Sequence, residues 1–439
     1  MESALEDKEG LLPEAERRQG QAALINVAVF DSVKNAAIGP FMLFLLGLGA
    51  TPFQIGAQVA LVQMAPLWQF AGLQLLPRVG KARLHMIGRL GSVVPLAALA
   101  AVAAVGGSSP GVVWLAIGLN SLRVVILTIG ATGWWPLLQD ATAGGAVGAF
   151  FARLRTRLRA FDIVLPVLAG WYLGRHPSSQ RFIALFVAAM AAMSVAAWLL
   201  RIVPERPVIP QENGLLMRLG DALGVRSLRR FLAFISARTF VATLSTPFWV
   251  VLLTANGVPA NAMVWFGAVA AFGNVCGLQR WGRLVDDHGS RAALAITILP
   301  QALIGLAFLA FPGRGPLLIW WAVSFYLVWG VFEGGYLMGQ TRAMLDAVPT
   351  TIQAEGFALV SYASGLGGMA GGLLGGILFQ RATGHSQHVL GFDSRTLYLA
   401  GVHLCFLLAW LLSTRLSGHA DQTPARRLVK KALQRVKPW

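Results

Sequence analysis

An all-α integral membrane fold, with twelve transmembrane helices in two pseudo-symmetric six-helix bundles, is what this sequence predicts, and three observations carry it. Of 439 residues, 56% are hydrophobic and only 13% charged, which leaves too little polar surface for soluble domains of that length. The apolar residues fall into continuous runs separated by short polar connections, and about 20 residues at 1.5 Å each cross a hydrocarbon core of roughly 30 Å. Short sequence markers recur at a nearly constant spacing in the two halves. Barrel strands would need alternating segments of about 10 residues, so helices are the spanning solution.

The twelve runs lie at 21–48, 52–76, 84–105, 111–138, 148–173 and 182–202, then at 231–254, 259–281, 291–311, 316–345, 352–380 and 396–416. Residues 1–20 are polar, with no apolar core of a cleavable signal, and read as a cytoplasmic N-terminal segment. The longest connection, 203–230, holds Pro204, Pro207 and Pro210 and divides bundles 21–202 and 231–416; 417–439 is a basic tail. Pro40-Phe41 recurs as Pro247-Phe248, Gly72-Leu73-Gln74 as Gly277-Leu278-Gln279, and Asp140-Ala141 as Asp346-Ala347, with offsets of 205 to 207 residues. Parallel repeats of this kind place a substrate site between the halves near the membrane midplane.

The formal net charge of +17 is concentrated in connections, a topology signal rather than a nucleic-acid-binding face. Arg78, Lys81 and Arg83 follow the second run, Arg153 to Arg159 begin the fifth, and Arg206 to Arg230 fill the central connection. The connections after runs 1, 3 and 7 carry no Lys or Arg. Both termini are therefore expected on the cytoplasmic side of a cell (inner) membrane, with the tail facing anionic lipids. Cys276 and Cys405 fall inside apolar runs without metal spacing and read as free, buried thiols. His385 and His388 lack further ligands, and neither a metal nor a cofactor is expected.

The run at 21–48 carries Asp31, Lys34 and Asn35 near its middle. A charge there costs about 2.5 to 3.5 kcal/mol on insertion scales and usually faces a polar interior. A permanent intrahelical pair of Asp31 with Lys34 is the structural alternative. Asp162 has Arg159 one turn away as a partner. The stretch 365–376, GLGGMAGGLLGG, lacks the ending of a phosphate loop and reads as close helix packing through small residues.

Gly282-Arg283-Leu284-Val285-Asp286-Asp287-His288-Gly289-Ser290-Arg291 resembles the loop signature of the major facilitator superfamily, with Asp287 and Ser290 standing where that signature has basic residues. Aligning the first half on Gly80 puts Pro77 at the aspartate position. The resemblance implies a cytoplasmic gate at Gly282, Asp286, Gly289 and Arg291, with Asp286 as the latch between halves. Pro166 to Gly170 is similar to the proline-glycine motif of proton antiporters in that family, and Arg123 to their membrane-embedded arginine. In the family, helices 1, 4, 7 and 10 line the central cavity.

Each of those four runs has ionisable residues deep within it: Asp31 and Lys34, Arg123, Arg238, and Glu333. The offset superposes Asp31 on Arg238. Helical spacing extends the sites to Asn120 and Trp134 on helix 4, to Ser245 and Trp249 on helix 7, and to Trp329, Tyr336 and Gln340 on helix 10. Polar groups among aromatic rings suit an organic ligand, and helix packing is the bland reading of any one ring. Asp31 or Glu333 would couple transport to protons, since burial favours the neutral carboxyl and a nearby base favours the charged one.

The function expected is secondary active transport of a small organic solute by alternating access, proton-coupled, as a functional monomer. Export of an amphipathic compound and uptake of an anionic or zwitterionic metabolite both stay open. A non-transporting receptor or assembly factor on the same fold is the alternative. No nucleophile, base and orienter group together, so no enzyme is expected.

Overall fold

The structure is a computed structural model and describes residues 12–142, 147–207, 215–348, 353–384, 388–389 and 392–416. In chain order its helices are α1 (Glu14–Ile38), α2 (Phe41–Gly47), α3 (Pro52–Gln63), α4 (Gln69–Val79), α5 (Lys81–Val105), α6 (Pro110–Ala131), α7 (Trp134–Thr142) and α8 (Val147–Leu173). There follow α9 (Ser179–Leu199), α10 (Leu215–Gly224), α11 (Arg226–Ala255), α12 (Ala260–Leu303), α13 (Pro316–Ala347), α14 (Gln353–Gly384), α15 (Ser394–Leu404) and α16 (Phe406–Ser413). Among the described residues the sheet content is one antiparallel pair, His388–Val389 with Phe392–Asp393.

Among the described residues, ten helical stretches are long and apolar enough to span a membrane. One, Ala260–Ala310, runs 51 residues and breaks at Gly289, whose φ of 78° is left-handed, so it makes two spans. Helix α8 adds the shorter apolar stretch Ala160–Leu173. The twelve expected segments are thereby accounted for, and the chain is a multi-pass membrane protein. Starts follow local chemistry: Thr51 and Gln54 form a capping box at α3, and Ser109 caps α6 ahead of Pro110, as N-terminal orphan amides require.

The described helices form two compact units, one spanning residues 1–50 and 65–212 and the other 51–64 and 213–439. The second unit thus includes α3, because the glycines of 365–376 present two stripes. A Cβ on Gly367 or Gly371 would lie 2.2 Å from a backbone oxygen of α11, and one on Gly372 or Gly376 would meet α3 at 2.9 or 3.1 Å. Only glycine permits both approaches, and polar backbone meets backbone without side chains between. Gly371→Leu is expected to lower the melting midpoint in detergent by several degrees, because the obstructing atom is the Phe240 carbonyl. Gly401→Ala, with open space around it, should leave the midpoint unchanged or raise it.

The sequence repeat has a structural counterpart. Gly80 and Gly289 both take left-handed φ, 91° and 78°, at the break between consecutive spans. The next residue in each case reaches the repeated aspartate: Lys81 Nζ donates to Asp140 Oδ2 at 2.5 Å, and Ser290 Oγ to Asp346 Oδ2 at 3.3 Å. In the first unit the start of the central connection joins this knot. The Arg206 amide donates to Asp140 and the Ala82 amide to the Glu205 carboxylate.

Candidate functional site

In the first unit, α5 and α6 approach so closely that a Cβ on Gly88 would lie 2.6 Å from Gly130 Cα. This seats His85, one turn before Gly88, and Arg89, directly after it, deep in the bundle, with Arg89 only 1% exposed. Arg89 donates Nη1 and Nη2 to the two carboxylate oxygens of Asp31 at 2.8 and 2.6 Å. Such a fork is the strong form of ion pair. Lys34 Nζ reaches Asp31 Oδ1 at 3.2 Å, so the intrahelical pair exists but is the weaker of two.

The geometry also fixes His85. Arg89 Nη2 lies 3.0 Å from its Nε2 and the Gly130 carbonyl 3.1 Å from its Nδ1. An arginine can only donate and a carbonyl can only accept. His85 is therefore neutral, with its proton on Nδ1. A cavity of about 250 Å³ opens onto this group, with Asp31, Lys34, Gln69, His85, Arg89, Trp134 and Trp135 in its lining. Arg123, also buried, donates Nε to Asn120 Oδ1 at 3.0 Å.

The second unit builds a different arrangement around Arg238. Its Nη2 donates to Glu333 at 2.7 Å and to Gln301 at 3.1 Å, and Gln301 Nε2 donates to the same Glu333 oxygen. The guanidinium carbon sits 4.2 Å from the Tyr336 ring centroid, 4.7 Å from Phe406 and 5.9 Å from Trp329. Cation–π attraction is largest where water is excluded. Trp249 packs edge-on against Trp329 and face-on against His403, whose Nδ1 is 3.0 Å from the Gln301 carbonyl.

Breaking this pair should be asymmetric. Glu333→Leu strands a charge on a buried arginine, whereas Arg238→Leu leaves a carboxylate whose side chain is 27% exposed and still within reach of water. Loss of one partner of a buried pair costs about 3 to 5 kcal/mol. Thermal unfolding of both variants should therefore place Glu333→Leu at the lower midpoint.

The structure thus joins Asp31 and Lys34 on one cavity and gathers Arg238, Glu333, Trp329 and Tyr336 in one cluster. Asp31 and Arg238, superposed by the repeat, are each paired inside their own unit. Asn35 is exposed, Ser245 is buried with its hydroxyl donated to Val241 and Ala242 carbonyls, and Gln340 is half-buried. Gly282, Gly289 and Arg291 are half-buried, and Asp286 is exposed with no hydrogen bond among the described residues. Asp162 accepts from Ser32 Oγ at 3.2 Å, while the Arg159 side chain is outside the described residues, as are the basic tail and His385. Cys276 and Cys405 are free but exposed rather than buried, since both fall on helix faces turned away from the bundle.

Arg89, His85, Gln301 and His403 were not among the sequence candidates. Their signal was present, a polar residue within an apolar run, but the resemblance confines attention to helices 1, 4, 7 and 10. These four lie on helices 3, 9 and 12.

No family model matches the sequence, and no curated protein does. The fold is that of the major facilitator transporters. Among solved structures, the nucleoside transporter NupG aligns with a TM-score of 0.65 at 17% identity, covering 92% of this chain and 100% of that one. A bacterial homologue of the iron transporter ferroportin in an inward-facing state aligns with a TM-score of 0.63 at 14% identity over 92% and 98%. A POT family transporter in complex with 5-aminolevulinic acid gives 0.66 at 12% over 91% and 96%.

Proposed function

We propose that the protein is a secondary active transporter that moves a small organic solute across the membrane by alternating access, coupled to protons, and catalyses no chemical reaction. The observation that carries this reading is Asp31, a carboxylate within a membrane span, forked by Arg89 and open to a solute-sized cavity. A carboxylate held this way has a proton affinity that depends on whether its cationic partners stay in place, so a conformational change that moves them exchanges a proton. Glu333 is the second candidate, and its aromatic surroundings favour a structural role for Arg238. A nucleoside transporter and a bacterial homologue of an iron transporter share the fold, which supports the class and leaves the solute open. The membrane is a cell (inner) membrane, with both termini cytoplasmic.

The test is reconstitution in liposomes with an imposed pH gradient and a panel of labelled metabolites and dyes. Gradient-driven uptake or efflux of at least one solute is expected. A protein that moves nothing across the panel supports the receptor or assembly-factor reading instead.

A further inference from the structure

The donor and acceptor content of the first-unit cavity points to the chemistry of its ligand. Lys34 and Arg89 are cationic, Asp31 is the one acid, and His85 is neutral by its hydrogen bonds, so the lining carries one uncompensated positive charge. Buried Arg123 on α6 is a further cation with no carboxylate within ion-pair distance among the described residues. Lys34 uses one of three donors on Asp31. Arg89 Nε is buried without an acceptor. Idle donors in a low-dielectric site are costly unless an acceptor completes them. The walls beside them are indoles, Trp134 half-buried against His85 at 5.6 Å between centroids and Trp135 exposed. At about 250 Å³ the cavity is below the roughly 300 to 1,000 Å³ of drug-sized pockets, so it takes a compact ligand.

Resting on the transport reading, we propose that this cavity binds a small aromatic monocarboxylate together with one proton. The ligand carboxylate takes the place of Asp31 on Arg89 and Lys34 when Asp31 accepts a proton from solution, and its ring lies against the indoles. One proton in and one negative charge in leave the cavity charge unchanged. With a single acid on the lining to accept it, one proton is taken up per ligand. The charged and titratable groups around Asp31 are Lys34 on α1, His85 and Arg89 on α5, Arg123 on α6 and Asp162 on α8. Asp140 on α7 is held by Lys81 and the Arg206 amide.

Purified protein is titrated with 3-phenylpropionate, its neutral amide 3-phenylpropionamide, the cation 3-phenylpropylamine and phenyl phosphate. Calorimetry in buffers of different ionisation enthalpy counts protons. The carboxylate alone is expected to bind well, with one proton taken up per ligand. Lys34→Gln should weaken it about tenfold or more, the scale of one hydrogen bond to a charged group. Asp31→Asn should keep or improve binding and abolish proton uptake, a result that loss of folding cannot mimic. Equal binding of the amide or amine overturns the proposal, as does tighter binding of phenyl phosphate or carboxylate binding without proton uptake. The two readings fail separately. Carboxylate binding without liposome flux of any solute removes transport and keeps the site, and flux of neutral solutes without carboxylate binding removes the site and keeps transport.

Discussion

Asp31→Asn is expected to abolish flux driven by a pH gradient, by a factor of 100 or more on the scale of about 2.7 kcal/mol, while solute exchange at equal pH on both sides persists. The separation follows from what the carboxylate does. Asn keeps one oxygen toward Arg89 and nearly the same volume, so the cavity and its donors stay in place. It cannot gain or lose a proton, so the gradient has no handle on the cycle. The structural reading of Asp31, as a partner needed only to neutralise Arg89 and Lys34, makes the opposite forecast: both kinds of flux fall together with the melting midpoint. Gradient-driven uptake and counterflow, measured on one preparation alongside a thermal melt, separate the two. Flux that follows the gradient unchanged in Asp31→Asn would sink the coupling role and move attention to Glu333.

The fold was legible in the sequence to the level of its spans and repeat, because continuous apolar runs and glycine or proline breaks are local signals. Gly289 and Gly80 stand at the same break in each half, and the Asp140 and Asp346 markers turn out to be the residues each break is fastened to. The glycine-rich stretch 365–376 gave up its packing role from composition alone, although not its two partners. The site was legible in part. A charge in a span is visible, so Asp31, Lys34, Arg238 and Glu333 stood out. Which charges meet depends on helix rotation, and one residue of rotation is 100°. Spacing along α1 offers Asp31 a partner at Lys34, whereas the stronger one, Arg89, comes from a helix 58 positions away. Asn35 shows the same limit from the other side, since it follows Lys34 directly and faces outward.

That dependence on rotation and approach makes Gly130 the position where a packing change should act on function most strongly. A Cβ there would lie 2.7 Å from Gly88 Cα and 3.0 Å from the Leu84 carbonyl oxygen. Both are backbone, so no rotamer change relieves the contact. Gly130→Ala is expected to cost about 1 to 3 kcal/mol, the range of overpacked cores, and Gly130→Val more. The Gly130 carbonyl also holds the Nδ1 proton of His85, whose Nε2 accepts from Arg89. Pushing α6 from α5 releases His85, and Arg89 then loses the group that aims its fork at Asp31. The variant should therefore lose gradient-driven flux and bind the anion more weakly, beyond its loss of stability. Gly118→Ala on the same helix, with open space at its Cβ, should do neither. Melting midpoints and binding of 3-phenylpropionate, compared across Gly130→Ala, Gly118→Ala and wild type, decide whether the glycine contact between α5 and α6 sets the geometry of the ion pair. Equal binding in all three would mean that the Asp31 and Arg89 fork holds itself in place without it.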